Sequence, residues 1–121
     1  MTVIIRQAPA PSLTDVARQL HDAFTASRKA IEAGAPVVFV ANGPDLLGQG
    51  SVEDAAVAGG LLGLMRAMMF EGGSKGWHVN LVALDSGAEP DQDLLHAAAT
   101  VPSINGQVLN SSSGSIGKVI P

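Results

Sequence analysis

Ser51 to Leu84 reads SVEDAAVAGGLLGLMRAMMFEGGSKGWHVNLVAL, and its reading decides the fold. Ser51 is a good N-cap, and Asp54 stands three residues on, a capping-box spacing with Asp in place of Glu or Gln. From Ala55 to Phe70 nearly every residue is apolar or small, and Arg66 is the one charge. Gly72 and Gly73 are expected to stop the helix by taking the left-handed conformation. The next run, His78 to Leu84, is rich in Val and Leu and uncharged, which predicts a strand covered on both faces.

A surface helix carries one apolar stripe, whereas this one is apolar nearly all round and should be buried on every side. A chain of 121 residues can hardly surround such a helix alone. Gly59, Gly60 and Gly63 each cost about 1 kcal/mol relative to Ala inside a helix, and are best tolerated where another backbone comes close. The expectation is a helix packed on its own sheet and on a partner chain.

Outward from this stretch, Thr2–Arg6 is a β-branched strand candidate and Gln7–Pro11 a proline-bearing loop. Ser12 caps a second helix, with Asp15 at the same three-residue spacing; Leu13, Val16, Ala17, Leu20, Phe24 and Ile31 fall on one face. Gly34 and Pro36 end it. Val37–Ala41 reads as a buried strand and Asn42–Gly50 as a glycine-rich loop. Beyond Leu84 come a polar loop, a short helix over Asp91–Ala99, a turn, a last strand over Gly106–Asn110, a small polar turn at Ser111–Ser115, and a closing segment Lys118–Pro121. Strands alternating with helices predict one α/β domain over 1–121, three-layered and Rossmann-like, with about four parallel strands.

Composition narrows function. Hydrophobic residues make up 46%, charged residues 15% and aromatics 3%, a profile that suits an oligomer subunit with little surface charge. A net charge of −4 lacks the basic footprint of a nucleic-acid binder. The absence of cysteine leaves no disulfide or thiolate metal site and fits a cytoplasmic protein. No signal peptide or membrane-spanning run is read from the sequence. Gly43 and Gly48 have the glycine spacing of a phosphate loop, but Gln49 stands where its lysine must be. His21, His78 and His96 lie on three elements without metal-ligand spacing, and Ser111–Ser113 lack a nucleophile elbow. Trp77 and the methionines 65, 68 and 69 read as packing residues.

Two motifs carry a resemblance. The helix-to-strand stretch resembles the short-chain dehydrogenase/reductase family, in which a helix of the form YxxxKAGLxGLxRALAxE precedes GIRVNxVxPG. Gly60, Leu61, Gly63, Leu64, Arg66, Ala67 and Glu71 fit the helix; Gly76, Val79, Asn80 and Val82 fit the strand; and INGQVLNSSSG resembles the family's last strand. The resemblance covers most of this chain, but only the C-terminal half of a usual family member. It places Asp54 at the catalytic tyrosine, Ala58 at the lysine, Ala41 at the serine, Gln19 near the relay asparagine and Leu84-Asp85 at the Pro-Gly. An ionised aspartate cannot donate the proton a carbonyl reduction needs, and no lysine is present to tune it. The resemblance therefore implies no catalytic residue, cofactor or metal site in this chain, and a retained assembly surface made of the helices on either side of VVFVAN. The interface residues expected are Phe24, Ala56, Gly59, Gly60, Gly63, Met65 and Ala67, in a homodimer or in a hetero-oligomer with an active reductase. The alternative is a partial subunit of an NAD(P)-dependent oxidoreductase whose cofactor and catalytic residues lie on another chain. A small flavodoxin-like or receiver-like domain is disfavoured, since VVFVAN offers no phosphorylatable aspartate.

Overall fold

The computed structural model describes residues 1–113; the expected closing segment Lys118–Pro121 and the end of the Ser111–Ser115 turn lie outside them. The elements are β1 (Val3–Arg6), α1 (Leu13–Glu32), β2 (Val37–Asn42), α2 (Gly43–Leu46), α3 (Val52–Gly72), a 3-10 turn (Gly73–Lys75), β3 (Val79–Leu84), α4 (Gln92–Thr100) and β4 (Val108–Asn110). The four strands are parallel and lie in chain order, β1-β2-β3-β4, with Val37 beside Val3 on one side and Val79 on the other.

Strand pleating sends alternate side chains to opposite faces. Val37, Phe39, Ala41, Val79, Leu81 and Ala83 face a core shared with α1 and α3. Val38, Val40, Val82 and Leu84 face Leu95, Ala98 and Ala99 of α4. β2 and β3 are thus covered on both sides, which explains their unbroken apolar sequences. The result is the three-layer Rossmann-like α/β arrangement that the strand and helix alternation predicts.

Three helix starts follow side-chain chemistry. Ser12 Oγ accepts from Asp15 N, Ser51 Oγ from Asp54 N, and Asp91 Oδ1 from the amides of Asp93 and Leu94. The hydrogen bond from the Ser12 hydroxyl, followed by Arg18, holds the Asp15 carboxyl below its ordinary pKa. That small stabilisation is present above the usual carboxylate range and fades as pH falls through the lowered value.

The structure corrects several expectations. Gly72 and Gly73 are not left-handed; the helix runs through Gly72, and Gly76, at φ +83°, makes the turn. Gly72 is small for another reason, because a Cβ there would overlap the Trp77 ring. The Asn42–Gly50 loop contains the one-turn helix α2, with Pro44 in its first turn. On α1 the buried row is Val16, Ala23, Ser27 and Ala30, while Leu13, Ala17 and Phe24 are exposed. Burial of α3 on every side is not seen within the chain: Val57, Ala58, Leu61, Leu62, Met65 and Met68 are buried, but Val52 is 82% and Phe70 96% exposed. By length and hydropathy alone, Val52–Lys75 would suffice to cross a membrane, contrary to the expectation that no apolar run is long enough. In the fold one side of this helix forms the core.

Candidate functional site

Open parallel sheets gather functional groups at the carboxyl ends of their strands. Here that end carries two polar clusters. In the first, Gln7 follows β1 and is buried. Its Nε2 donates to Asp45 Oδ2 at 2.9 Å and to the Asp54 carbonyl at 3.2 Å, and its Oε1 accepts from Asn42 N at 2.8 Å. Asn42 Nδ2 donates to the same Asp45 oxygen at 3.1 Å. Gly50 abuts the other oxygen so closely that any side chain there would collide with it. This cluster ties together the ends of β1 and β2, the helix α2 and the start of α3. In the second cluster, Asp85 after β3 accepts from Ser112 Oγ at 2.8 Å and Ser113 Oγ at 3.0 Å.

The residues that the sequence resemblance sets at the family's catalytic positions make structural contacts or are buried. Asp54 Oδ1 accepts from Ala10 N, holding the β1–α1 loop against α3. Ala58 and Ala41 are buried and carry no reactive group. Gln19 clamps the same loop: its Oε1 accepts from Ala8 N, and its Nε2 donates to the carbonyls of Ala8 and Pro9. Asp54 lines a shallow cavity with Pro9, Pro11, Ser51 and Glu53, and Gln19 lines a separate one beside β1, so the two side chains do not share a cavity. Among the described residues no group of three or more His, Cys, Asp or Glu is placed to hold a metal ion. His21 and His96 are exposed, and His78 Nε2 lies 3.1 Å from the Ala98 carbonyl.

Gln7 is an anchor that the sequence reading did not find, because all its partners are distant in sequence. Replacing it with Glu would put a second carboxylate against Asp45 in a buried setting. Chemical denaturation at pH 7 should then show a loss of about 2–4 kcal/mol, partly recovered toward pH 5 as one carboxyl takes up a proton.

At the opposite end of the sheet, a cavity of about 320 Å³ is lined by Ile31, Pro36, Lys75, Trp77 and His78, among others. Arg28 and Lys75 lie over the Trp77 ring, 5.2 and 5.4 Å from its centroid, and Arg28 also pairs with Glu71 at 3.0 Å. These contacts brace the α3–β3 turn against α1.

The interface residues expected from the sequence divide into two groups. Phe24, Ala56, Gly59, Gly63 and Ala67 are exposed on the outer side of the α1–α3 layer. Met65 is not available to a partner, being 1% exposed and part of the core. Gly60 faces the chain itself: a Cβ there would press on the terminal methyls of Leu20 on α1, so this position lies in the α1–α3 contact. The Arg28–Glu71 pair shows which side of α1 turns toward α3. Leu13, Ala17 and Phe24 lie on that same side at helical spacing, next to the exposed row of α3.

No family model matches the chain, and no curated protein matches it in sequence. Solved structures do. It superposes on the citronellol catabolism dehydrogenase AtuB of Pseudomonas aeruginosa PAO1 with a TM-score of 0.71 at 16% identity, covering 94% of this chain and 61% of that one. The promiscuous reductase LugOII, which catalyses a keto-reduction in lugdunomycin biosynthesis, gives 0.67 at 17%, with coverages of 93% and 59%. A short-chain dehydrogenase of Bacillus anthracis str. 'Ames Ancestor' gives 0.64 at 15%, with coverages of 98% and 66%. The chain therefore has the fold of a partial short-chain dehydrogenase/reductase, and it spans about 60% of the length of such structures.

Proposed function

We propose that this chain is a non-catalytic, short-chain-dehydrogenase-like protein that acts in the cytoplasm as an oligomerisation or partner subunit. The observation that carries this reading is the outer face of the α1–α3 layer. Leu13, Phe24, Val52 and Phe70 are 80%, 53%, 82% and 96% exposed there, grouped around Ala56, Gly59, Gly63 and Ala67. Large apolar side chains gathered on one side of a small domain mark an interaction surface. Tight packing at its centre is favoured by Gly59 and Gly63, since a Cβ at either position would meet nothing among the described residues. The second support is chemical: the positions of the family's acid, activator and serine hold Asp54, Ala58 and Ala41.

Sedimentation tests the reading. The wild-type protein should sediment as an assembly, and Gly63→Phe should shift it to monomer or aggregate. Because Gly63 is exposed, the variant should keep the wild-type circular dichroism spectrum. An assembly unaffected by Gly63→Phe would overturn this face as the docking surface.

A second reading, in which the cofactor and catalytic groups lie on another chain, draws support from β1. Among the described residues that strand pairs with β2 alone. A natively purified complex containing bound NADH or NADPH would favour this reading; the first expects no dinucleotide.

A further inference from the structure

We propose that the cavity of about 320 Å³ at the amino end of the sheet binds a small carboxylate with a compact apolar body. The cavity lies between the α1–β2 turn and the α3–β3 turn, and it shares no lining residue with the docking face proposed above. Its volume is at the small end of the range for ligand sites, about 300–1,000 Å³. Ile31, Pro36 and Ala99 give it apolar wall, Trp77 an aromatic side, and Lys75 and His78 polar groups. Among the described residues no acidic side chain lines it. Each of the two turns passes through a left-handed glycine, Gly34 at φ +74° and Gly76 at φ +83°. Backbone geometry rather than side-chain rotamers therefore sets the frame, and a ligand need order little on entering.

Hydrogen-bond accounting decides the sign of the ligand. Helix C-termini present free carbonyls and a partial negative charge, which by themselves favour a cation. Here those acceptors are taken. The Ala30 carbonyl accepts from Ala33 N and Ala35 N, and the Ile31 carbonyl from Gly34 N. The Ala98 carbonyl accepts from Asn80 Nδ2 and lies 3.1 Å from His78 Nε2. Glu71, the acid beside this turn, is paired with Arg28. The donors are not taken. Lys75 has no carboxylate partner among the described residues, and its Nζ lies 5.4 Å from the Trp77 ring centroid. That contact positions the ammonium without neutralising it. The main-chain N–H of the half-buried His78 donates to no group among the described residues, although buried donors are nearly always paired. One free ammonium and one free amide beside apolar wall suit a carboxylate with an apolar body.

Trp77 is the one tryptophan of the chain, so its emission reports on this cavity directly. The probes are benzoate, benzyl alcohol and benzylamine, which share a ring and differ in charge. Benzoate should change the emission saturably and bind about tenfold or more tighter than benzyl alcohol, and benzylamine should give no saturable change. Amide shifts on adding benzoate to the ¹⁵N-labelled protein should centre on Gly34, Gly76 and His78. Lys75 is exposed, so Lys75→Met should keep the wild-type circular dichroism spectrum. In that variant, calorimetry should find benzoate and benzyl alcohol bound equally. No saturable response to benzoate, equal binding of all three compounds by the wild type, or shifts centred away from the two turns would each overturn the site. A preference for benzoate that survives Lys75→Met would overturn the charge pairing on which the ligand class rests.

Discussion

Asn80→Leu should cost about 3–4 kcal/mol, an appreciable share of the stability of a domain this size. Asn80 is fully buried in β3. Its Nδ2 donates to the carbonyls of Ala98 and Ile104, both at 2.7 Å, and its Oδ1 accepts from Gln107 N at 3.0 Å. One side chain thus joins the end of α4 and the approach to β4 to the sheet. Leucine has the same branched outline with bulkier methyl ends, so the loss is mainly one of hydrogen bonding, with some overpacking added. It comes from backbone groups left without partners: the Ile104 carbonyl and the Gln107 amide, while the Ala98 carbonyl keeps its contact with His78. A drop of roughly 10–20 °C in the thermal midpoint is expected by circular dichroism. Hydrogen exchange should rise first at Leu81, whose amide donates to the Gln107 carbonyl beside Asn80. A melting curve within about 3 °C of wild type would refute this account.

Gly72→Ala should be nearly as damaging, at about 2–3 kcal/mol, although alanine favours helices. The backbone at Gly72, φ −118° and ψ 1°, is open to any residue, so the loss is steric: the new methyl would occupy the place of the Trp77 ring. Displacing that ring disturbs its contacts with Arg28 and Lys75 and the hydrogen bond from Trp77 N to the Gly72 carbonyl. A double-mutant cycle isolates the cause. Combining Gly72→Ala with Trp77→Leu should cost at least about 1 kcal/mol less than the two changes added together. Additive losses in urea denaturation, followed by far-ultraviolet dichroism, would place the damage elsewhere.

What the sequence made legible was local. The caps at Ser12 and Ser51 and the apolar runs at Val37 and Val79 specify starts, stops and burial from a few neighbouring residues, and those elements lie where the pattern predicts. The side of α3 that faces the core was not legible. Its hydrophobic positions are spread almost evenly around the axis, so Met65 in the core and Gly63 at the surface look alike in one dimension. Gly60 and Gly72 were visible as glycines, but their reasons, Leu20 and Trp77, lie 40 residues away for the first and across a turn for the second. The anchors Gln7 and Asn80 depend on partners brought together by the sheet. For Asn80 the sequence held a family-pattern match, and the structure supplies the physical reason: its two carbonyl partners and one amide partner need an amide side chain.

The strand order carries a consequence for biosynthesis. Each strand pairs with its predecessor in the chain, so each new β-α unit leaving a ribosome finds its neighbour already made. Among the four described strands no early one must wait for a late one to slip in beside it, and this part of the sheet can extend vectorially during translation, at residue-by-residue speeds slow compared with helix formation.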